Sequence, residues 1–145
     1  MDGADSSTEK AYRLDEQVGY LLRLANQRHA AIFQTHAPAG LTPTQFAAMI
    51  RLAEHGELSQ NQLGRMAAMD IATIKGVVDR LSRKGYLRKA PSPEDRRRSM
   101  VSLTEEGRAL IDELERRGRT ISRETLQALS GAERATFLRL LRRLA

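Results

Sequence analysis

The sequence predicts a mainly α-helical protein with a small β-hairpin, and three observations carry that prediction. Apolar residues make up 41% of the 145 positions, yet they include only three Phe, three Tyr and no Trp, a balance that favours helices over packed sheets. Apolar positions recur at spacings of three and four along most of the chain, each run after the first preceded by a capping residue. Only the stretch after Gly85 departs from this rhythm, with two short runs flanking a Pro-containing, charged loop. The length suits one domain, or a small domain with an arm that needs a partner to cover it.

Residues 1–10 lack apolar periodicity and are expected to form a disordered tail. From Leu14 to Phe33, residues Leu14, Val18, Leu21, Leu22, Ala25, Ile32 and Phe33 mark a long first helix. Pro38 and Gly40 break it. Thr42-Pro43-Thr44-Gln45 is a capping box with proline in the first turn, opening a second helix to about Glu54 that stops at Gly56. Ser59-Gln60-Asn61-Gln62 caps a short third helix through Leu63, Met66 and Ala67. Asp70 caps a fourth, Ile71 to about Lys84, ended by Gly85. Tyr86–Lys89 and Met100–Leu103 read as the hairpin strands, Met100 and Ser102 facing one side, Val101 and Leu103 the other. Thr104 opens a fifth helix whose stripe of Leu110, Ile111, Leu114, Ile121 and Leu129 extends to Ser130. Ser130-Gly131-Ala132-Glu133 caps a last helix striped by Phe137, Leu138, Leu141 and Leu144.

Charge adds a location to this outline. The net charge is +6, and residues 75–98 alone carry nine Lys and Arg against three Asp and Glu; the remainder balances at fifteen of each. A surplus confined to one segment creates a local positive potential suited to a polyanion. With no cysteine, thiol chemistry, disulfides and thiolate-held metals are excluded. His29, His36 and His55 show no metal-ligand spacing, and no nucleophile motif or phosphate-cradling glycine loop occurs, so no cofactor, metal or enzymatic activity is expected. No apolar run approaches a membrane span and the N-terminus is unlike a signal peptide, which predicts a cytoplasmic protein.

Three short helices followed by two strands around a basic loop is the order of a winged helix-turn-helix. With Ile74 at zero on a helical wheel, Ile71, Val77, Val78 and Leu81 lie within about 60° and form the buried stripe. The opposite face carries Ala72, Thr73, Lys75, Gly76, Asp79, Arg80 and Arg83. Gly76 weakens a helix by roughly 1 kcal/mol relative to alanine, yet it stands near the centre of that face, where a side chain would hold the helix off a partner. This face is expected in the major groove, with Thr73 and Lys75 near base edges, Ala72 able to meet a thymine methyl, and Arg80 and Arg83 on phosphates. Asp79 is expected to pair with a neighbouring arginine. Ser59, Gln60 and Asn61, at the start of the third helix, join the DNA-facing set. On the hairpin tip, Asp95, Arg96, Arg97 and Arg98 suit a narrow minor groove, the acid holding one arginine while another reaches in.

Leu41–Phe46, Ser59–Gly64, Thr73–Leu81, Gly85–Arg88 and Asp95–Gly107 together resemble the MarR family of bacterial regulators, in order and over nearly the whole chain from residue 14. The resemblance implies a homodimer, joined through its first, fifth and sixth helices, that binds a palindromic double-stranded operator and usually represses. It also matches Arg97 to the arginine of the family's D-x-R element, with Asp95 as its partner. The division that follows is a helical dimerisation region over 11–36 and 105–145 and a DNA-binding lobe over 41–104. The long apolar stripes flanking the lobe favour a dimer on physical grounds as well.

The segment from Leu14 to Phe33 is similar to relatives that control aromatic-acid catabolism, implying release by a small anionic or aromatic effector, an aromatic acid or its CoA thioester. Arg23, Arg28 and His29 are placed to meet a carboxylate or phosphate, with Phe46 and Met49 as apolar walls; the same residues read equally as surface arginines and a satisfied interface histidine. Two other classes share parts of this pattern. A nonspecific nucleoid or RNA-binding module would carry the basic segment without preferring a palindrome, and an enzyme would need a convergent catalytic set that the three scattered histidines do not supply.

Overall fold

The computed structural model describes residues 10–145. The expected tail, Lys10 apart, lies outside the described residues. The fold is mainly helical with a small antiparallel sheet, in the order α1 (Val18–His36), α2 (Pro43–His55), β1 (Leu58–Ser59), α3 (Gln60–Met66), α4 (Ile71–Arg83), β2 (Leu87–Pro91), β3 (Ser99–Leu103), α5 (Glu105–Thr125) and α6 (Gly131–Leu144).

Capping chemistry sets most of these boundaries. Thr42, Ser59 and Ser130 each accept from the backbone three residues on, while Gln45, Gln62 and Glu133 reach back, so all three capping boxes form. Asp70 accepts from the Thr73 N–H at 2.7 Å and starts α4. This depresses the Asp70 carboxyl below the usual carboxylate range, because the Thr73 backbone donor favours its ionised form.

The first helix begins later than its periodicity predicts. Leu14–Glu16 form a separate 3₁₀ turn, and the Gln17 side chain accepts from the Tyr20 N–H at 2.6 Å, making Gln17 the cap of α1. Helix α5 ends at Thr125, short of the expected Ser130. Arg28 donates to the carbonyls of Thr125 and Glu124 at 2.7 and 2.9 Å, and Arg134 donates to those of Leu126 and Leu129. These side chains satisfy carbonyls that a continuing helix would have used. Strand β1 is also additional, since two residues carry no readable alternation; it pairs Leu58 with Val101 and Ser59 with Met100.

The sheet order is β1-β3-β2, with β2 and β3 antiparallel from Leu87 opposite Leu103 to Pro91 opposite Ser99. Alternation along β3 turns Val101 and Leu103 inward onto a core that includes Leu52, Leu63, Ile74, Val78 and Leu81. Ile71, expected in that stripe, is 74% exposed; it lies at the edge of the apolar arc on the first turn, where the core does not reach. Ile111 and Leu114 of α5 join the same core, so packing continues past residue 104. Where α5 starts, Thr104 donates to the Gly85 carbonyl at 2.6 Å and its backbone N–H to that of Tyr86 at 3.0 Å. A Cβ on Gly107 would overlap the Tyr86 carbonyl oxygen, so this contact requires glycine.

Helices α1 and α6 are different. Only Phe33 of α1 is buried, and no residue of α6. Val18, Leu21, Leu22, Leu24, Phe137, Leu138, Leu140 and Leu144 remain between 39% and 75% exposed. No helix among the described residues is long and apolar enough to cross a membrane.

Candidate nucleic-acid interface

Helix α4 turns Ile74, Val77, Val78 and Leu81 into the core and leaves Ala72, Thr73, Lys75, Arg80 and Arg83 exposed, with Gly76 half-buried among them. Nothing among the described residues requires glycine at 76. A Cβ there would stand 3.7 Å from Arg80 Nη1, an ordinary contact. The notch therefore answers to something outside the chain or to the position of Arg80.

Asp79 has a different partner from the one expected. Lys89 of β2 lies 3.5 Å from its carboxylate, both side chains 37% exposed. The correction follows from the fold: β2 leaves Gly85 and returns alongside α4, placing an ammonium beside the helix. The pair offsets an acid that would repel a polyanion and ties the hairpin to the helix, though at this exposure its net contribution is at most about 1 kcal/mol. Lys89 escaped the sequence reading because no helical or strand period links it to Asp79.

The hairpin tip is a built turn. Ser92, 8% exposed, accepts through Oγ from the backbone N–H groups of Glu94 and Asp95, and its own N–H donates to the Arg98 carbonyl at 2.8 Å. Asp95 Oδ1 accepts the Arg97 backbone N–H at 3.0 Å and stands 3.6 Å from Arg97 Nε. Arg97 is thus held at its base while its side chain is 95% exposed. Arg96 and Arg98 are exposed too, Arg98 reaching back toward Ser59 Oγ at 3.4 Å. Gln60, Asn61, Arg97, Arg98 and Ser99 surround a cleft of about 120 Å³ at the hairpin base. Gln60 Oε1 is buried beside it without a hydrogen-bond partner. Ser59 departs from the expected set: it is 2% exposed, and its hydroxyl caps α3 and accepts from Arg98, so it is not presented on the surface.

The five residues expected around an effector are not brought together. Arg23 stacks over the Tyr20 ring, its guanidinium carbon 5.7 Å from the centroid. Arg28 is bound to the end of α5, and His29 Nδ1 lies 2.8 Å from Thr125 Oγ1. Met49 is fully buried in the core, so it presents no wall to a ligand. Phe46 packs edge-on against Phe33, centroids 5.7 Å apart, and borders an open groove of about 750 Å³ between α2 and α5. Arg116, Arg119 and Arg123 line the same groove, and sequence reading missed them because they sit among the many charges of α5's outer face. His29 instead borders an apolar cavity of about 360 Å³ with Leu22, Leu126, Phe137 and Leu138.

Known proteins resemble this chain over most of its length. The MarR family model matches residues 41–99. The chain is 44% identical to the HTH-type transcriptional repressor NicR of Pseudomonas putida, over 92% of this chain and 85% of that one. A probable transcriptional regulator from Pseudomonas aeruginosa superposes with a TM-score of 0.89 at 50% identity, covering 92% of this chain and 100% of the other. BpsR of Bordetella bronchiseptica, solved in a study of how 6-hydroxynicotinic acid regulates its DNA binding, superposes at 0.88 with 40% identity and covers 93% and 97%. With these relatives matched over most of its length, the chain belongs to the MarR family of transcriptional regulators.

Proposed function

We propose that this protein is a dimeric, cytoplasmic repressor without enzymatic activity or cofactor, which holds a palindromic operator and releases it when a small anionic aromatic molecule binds. In this reading α4 enters the major groove with Ala72, Thr73, Lys75 and Gly76 near base edges, while Gln60, Asn61, Arg83 and Arg96–Arg98 meet phosphates or the minor groove, Asp95 aiming Arg97. The observation that carries it is the α4 face, where a glycine that internal packing does not require stands among exposed cations. Residues 41–104 with the first turns of α5 form the DNA-binding lobe, and α1, the rest of α5 and α6 form the dimerisation arm, their uncovered leucines meeting a second copy.

For the effector, the groove beside Phe46 supports an aromatic acid best: an aromatic wall and three arginines line it against two glutamates, Glu54 and Glu115, and 6-hydroxynicotinic acid regulates DNA binding by the relative BpsR. His29 borders the neighbouring apolar cavity, and Arg28, by bracing α5, would transmit a shift of that helix to α1. Arg23 remains an exposed cation on the outer side of α1, open to a carboxylate. An effector acts only if it binds the DNA-competent and released forms unequally.

The test is fluorescence anisotropy on a palindromic duplex that the protein selects from random DNA. Binding is expected to be at least about 10³-fold tighter than to random duplex at physiological salt, measurably weakened in Gly76→Leu and Lys75→Ala, and reversed by 6-hydroxynicotinic acid or a related aromatic acid. Equal affinity for both duplexes would overturn the regulator reading; release insensitive to Arg119→Ala and His29→Ala would overturn the effector site.

A further inference from the structure

We infer that Arg80 reads a guanine in the major groove, using Gly76 as the floor on which its guanidinium lies. The inference rests on the DNA-binding reading above and replaces the expectation that Arg80 holds a phosphate. With Gly76 as origin on the wheel of α4, Ala72, Arg80 and Arg83 all fall within about 40°, so these four form the midline of the exposed face. Lys75 lies about 100° away, toward the flank. The midline is thus two small residues followed by two arginines.

Side chains on a helix lean toward its N-terminus, onto the preceding turn. For Arg80 that turn is the one without a side chain. Nη1, Cζ and Nη2 of Arg80 lie 3.7, 3.9 and 3.9 Å from where a Cβ of residue 76 would stand. Three guanidinium atoms within 3.7 to 3.9 Å of that point place the group over Gly76, on the midline, instead of out at the flank, where phosphates run. The fork is also unoccupied. Asp79, next in the chain, is engaged by Lys89, and Arg80 has no ion pair or side-chain hydrogen bond among the described residues.

A planar, permanently charged fork presented at the centre of a groove-facing surface matches the O6 and N7 acceptors of guanine in a bidentate pair. Phosphate contact would call for a cation at the edge, which the exposed hairpin arginines already provide. Alanine at 76 would touch the guanidinium without displacing it, and a side chain as bulky as leucine would compete for the same space. Glycine at 76 therefore keeps the helix close to the DNA and keeps the reading arginine central.

The experiment uses the full-length protein and its self-selected palindromic duplex, with each guanine pair replaced symmetrically by 7-deazaguanine, which lacks N7. Binding is measured over a salt series for the unaltered protein, Arg80→Ala, Arg80→Lys, Gly76→Ala, Gly76→Leu and, as the phosphate-type control, Arg97→Ala. Thermal unfolding confirms that each variant is folded. One 7-deazaguanine pair is expected to weaken the unaltered protein about 5- to 150-fold. Arg80→Ala, Arg80→Lys and Gly76→Leu should lose that discrimination, Gly76→Ala should keep most of it, and the salt slope should stay unchanged for Arg80→Lys. Should Arg80→Ala weaken all duplexes alike, with a slope lowered by about two, one for each half-site, as for Arg97→Ala, Arg80 is a phosphate contact and the inference is overturned. Retained discrimination in Gly76→Leu overturns it as well. Failure to select any sequence would sink the regulator reading itself, a result distinct from either.

Discussion

Leu52, Leu63 and Leu81 of the winged lobe are at most 1% exposed, whereas Leu14, Leu21, Leu22, Leu24, Leu138, Leu140 and Leu144 of the arms range from 39% to 75%. Leu21, Leu22, Leu138 and Leu144 lie on helical stripes read from the sequence by the same spacing as Leu63 and Leu81. In the lobe, α2, α3, α4 and the sheet close around one another, and α5 seals the core with Ile111 and Leu114. In the arms, polar ties join α1 to α5, including His36 to Glu124 at 2.7 Å, while no residue of α6 is buried. A periodic stripe states that a face needs covering. It does not state whether the cover comes from the same chain.

The largest expected effect breaks the comparison at the arm. Leu138→Glu places a charge on the α6 face assigned to the second copy. Sedimentation should then show a monomer with an intact lobe, and operator affinity should fall about 100-fold or more as bivalent attachment is lost. A dimer persisting with unchanged affinity would show that this face is not the interface.

A smaller effect is expected at the joint where α5 leaves the lobe. Gly107→Ala forces a methyl group against the Tyr86 carbonyl and should lower stability by about 1–3 kcal/mol or more, seen in thermal unfolding. Gly131→Ala at the start of α6 meets no atom within 4 Å and should leave the melting temperature unchanged or slightly raised. Equal losses from both would remove the distinction between a packed lobe and an open arm.

The smallest effect concerns acid. Backbone donors depress the carboxyls of Asp70 at the start of α4 and Glu133 at the start of α6, Thr73 acting on the first and Ser130 on the second. A depressed folded-state value adds stability above the unfolded-state value of 3.8 for Asp70 and 4.5 for Glu133, and that stability disappears as pH falls through the lower folded value. Melting curves from neutral to strongly acidic pH should therefore steepen their decline below about pH 4. Asp70→Asn should flatten the lobe's share and Glu133→Gln the arm's. Identical pH profiles in both variants and the parent would exclude these caps as the source.

The regular elements were legible because their signals are local. Thr42, Ser59, Asp70, Thr104 and Ser130 each occupy the cap position expected of them, and Val101 and Leu103 face inward as their alternation predicts. The α4 face was legible for the same reason, a single helix having one period. Ends and pairings were less so. The end of α5 is set by Arg28 and Arg134, the partner of Asp79 comes from a strand ten residues away, and β1 exists because β3 offers it an edge.

The sequence by itself therefore determined the order of elements, the basic stretch, the notched helix and the absence of thiol chemistry, since composition, spacing and capping act within a few residues. Tertiary structure alone decided that Met49 and Ser59 are buried, that Arg28 and His29 are held against α5, that Phe46 shares a groove with Arg116 and Arg119, and that Arg80 lies over Gly76. Those outcomes depend on which faces the packed helices turn toward one another, and burial makes that choice collectively over the whole core.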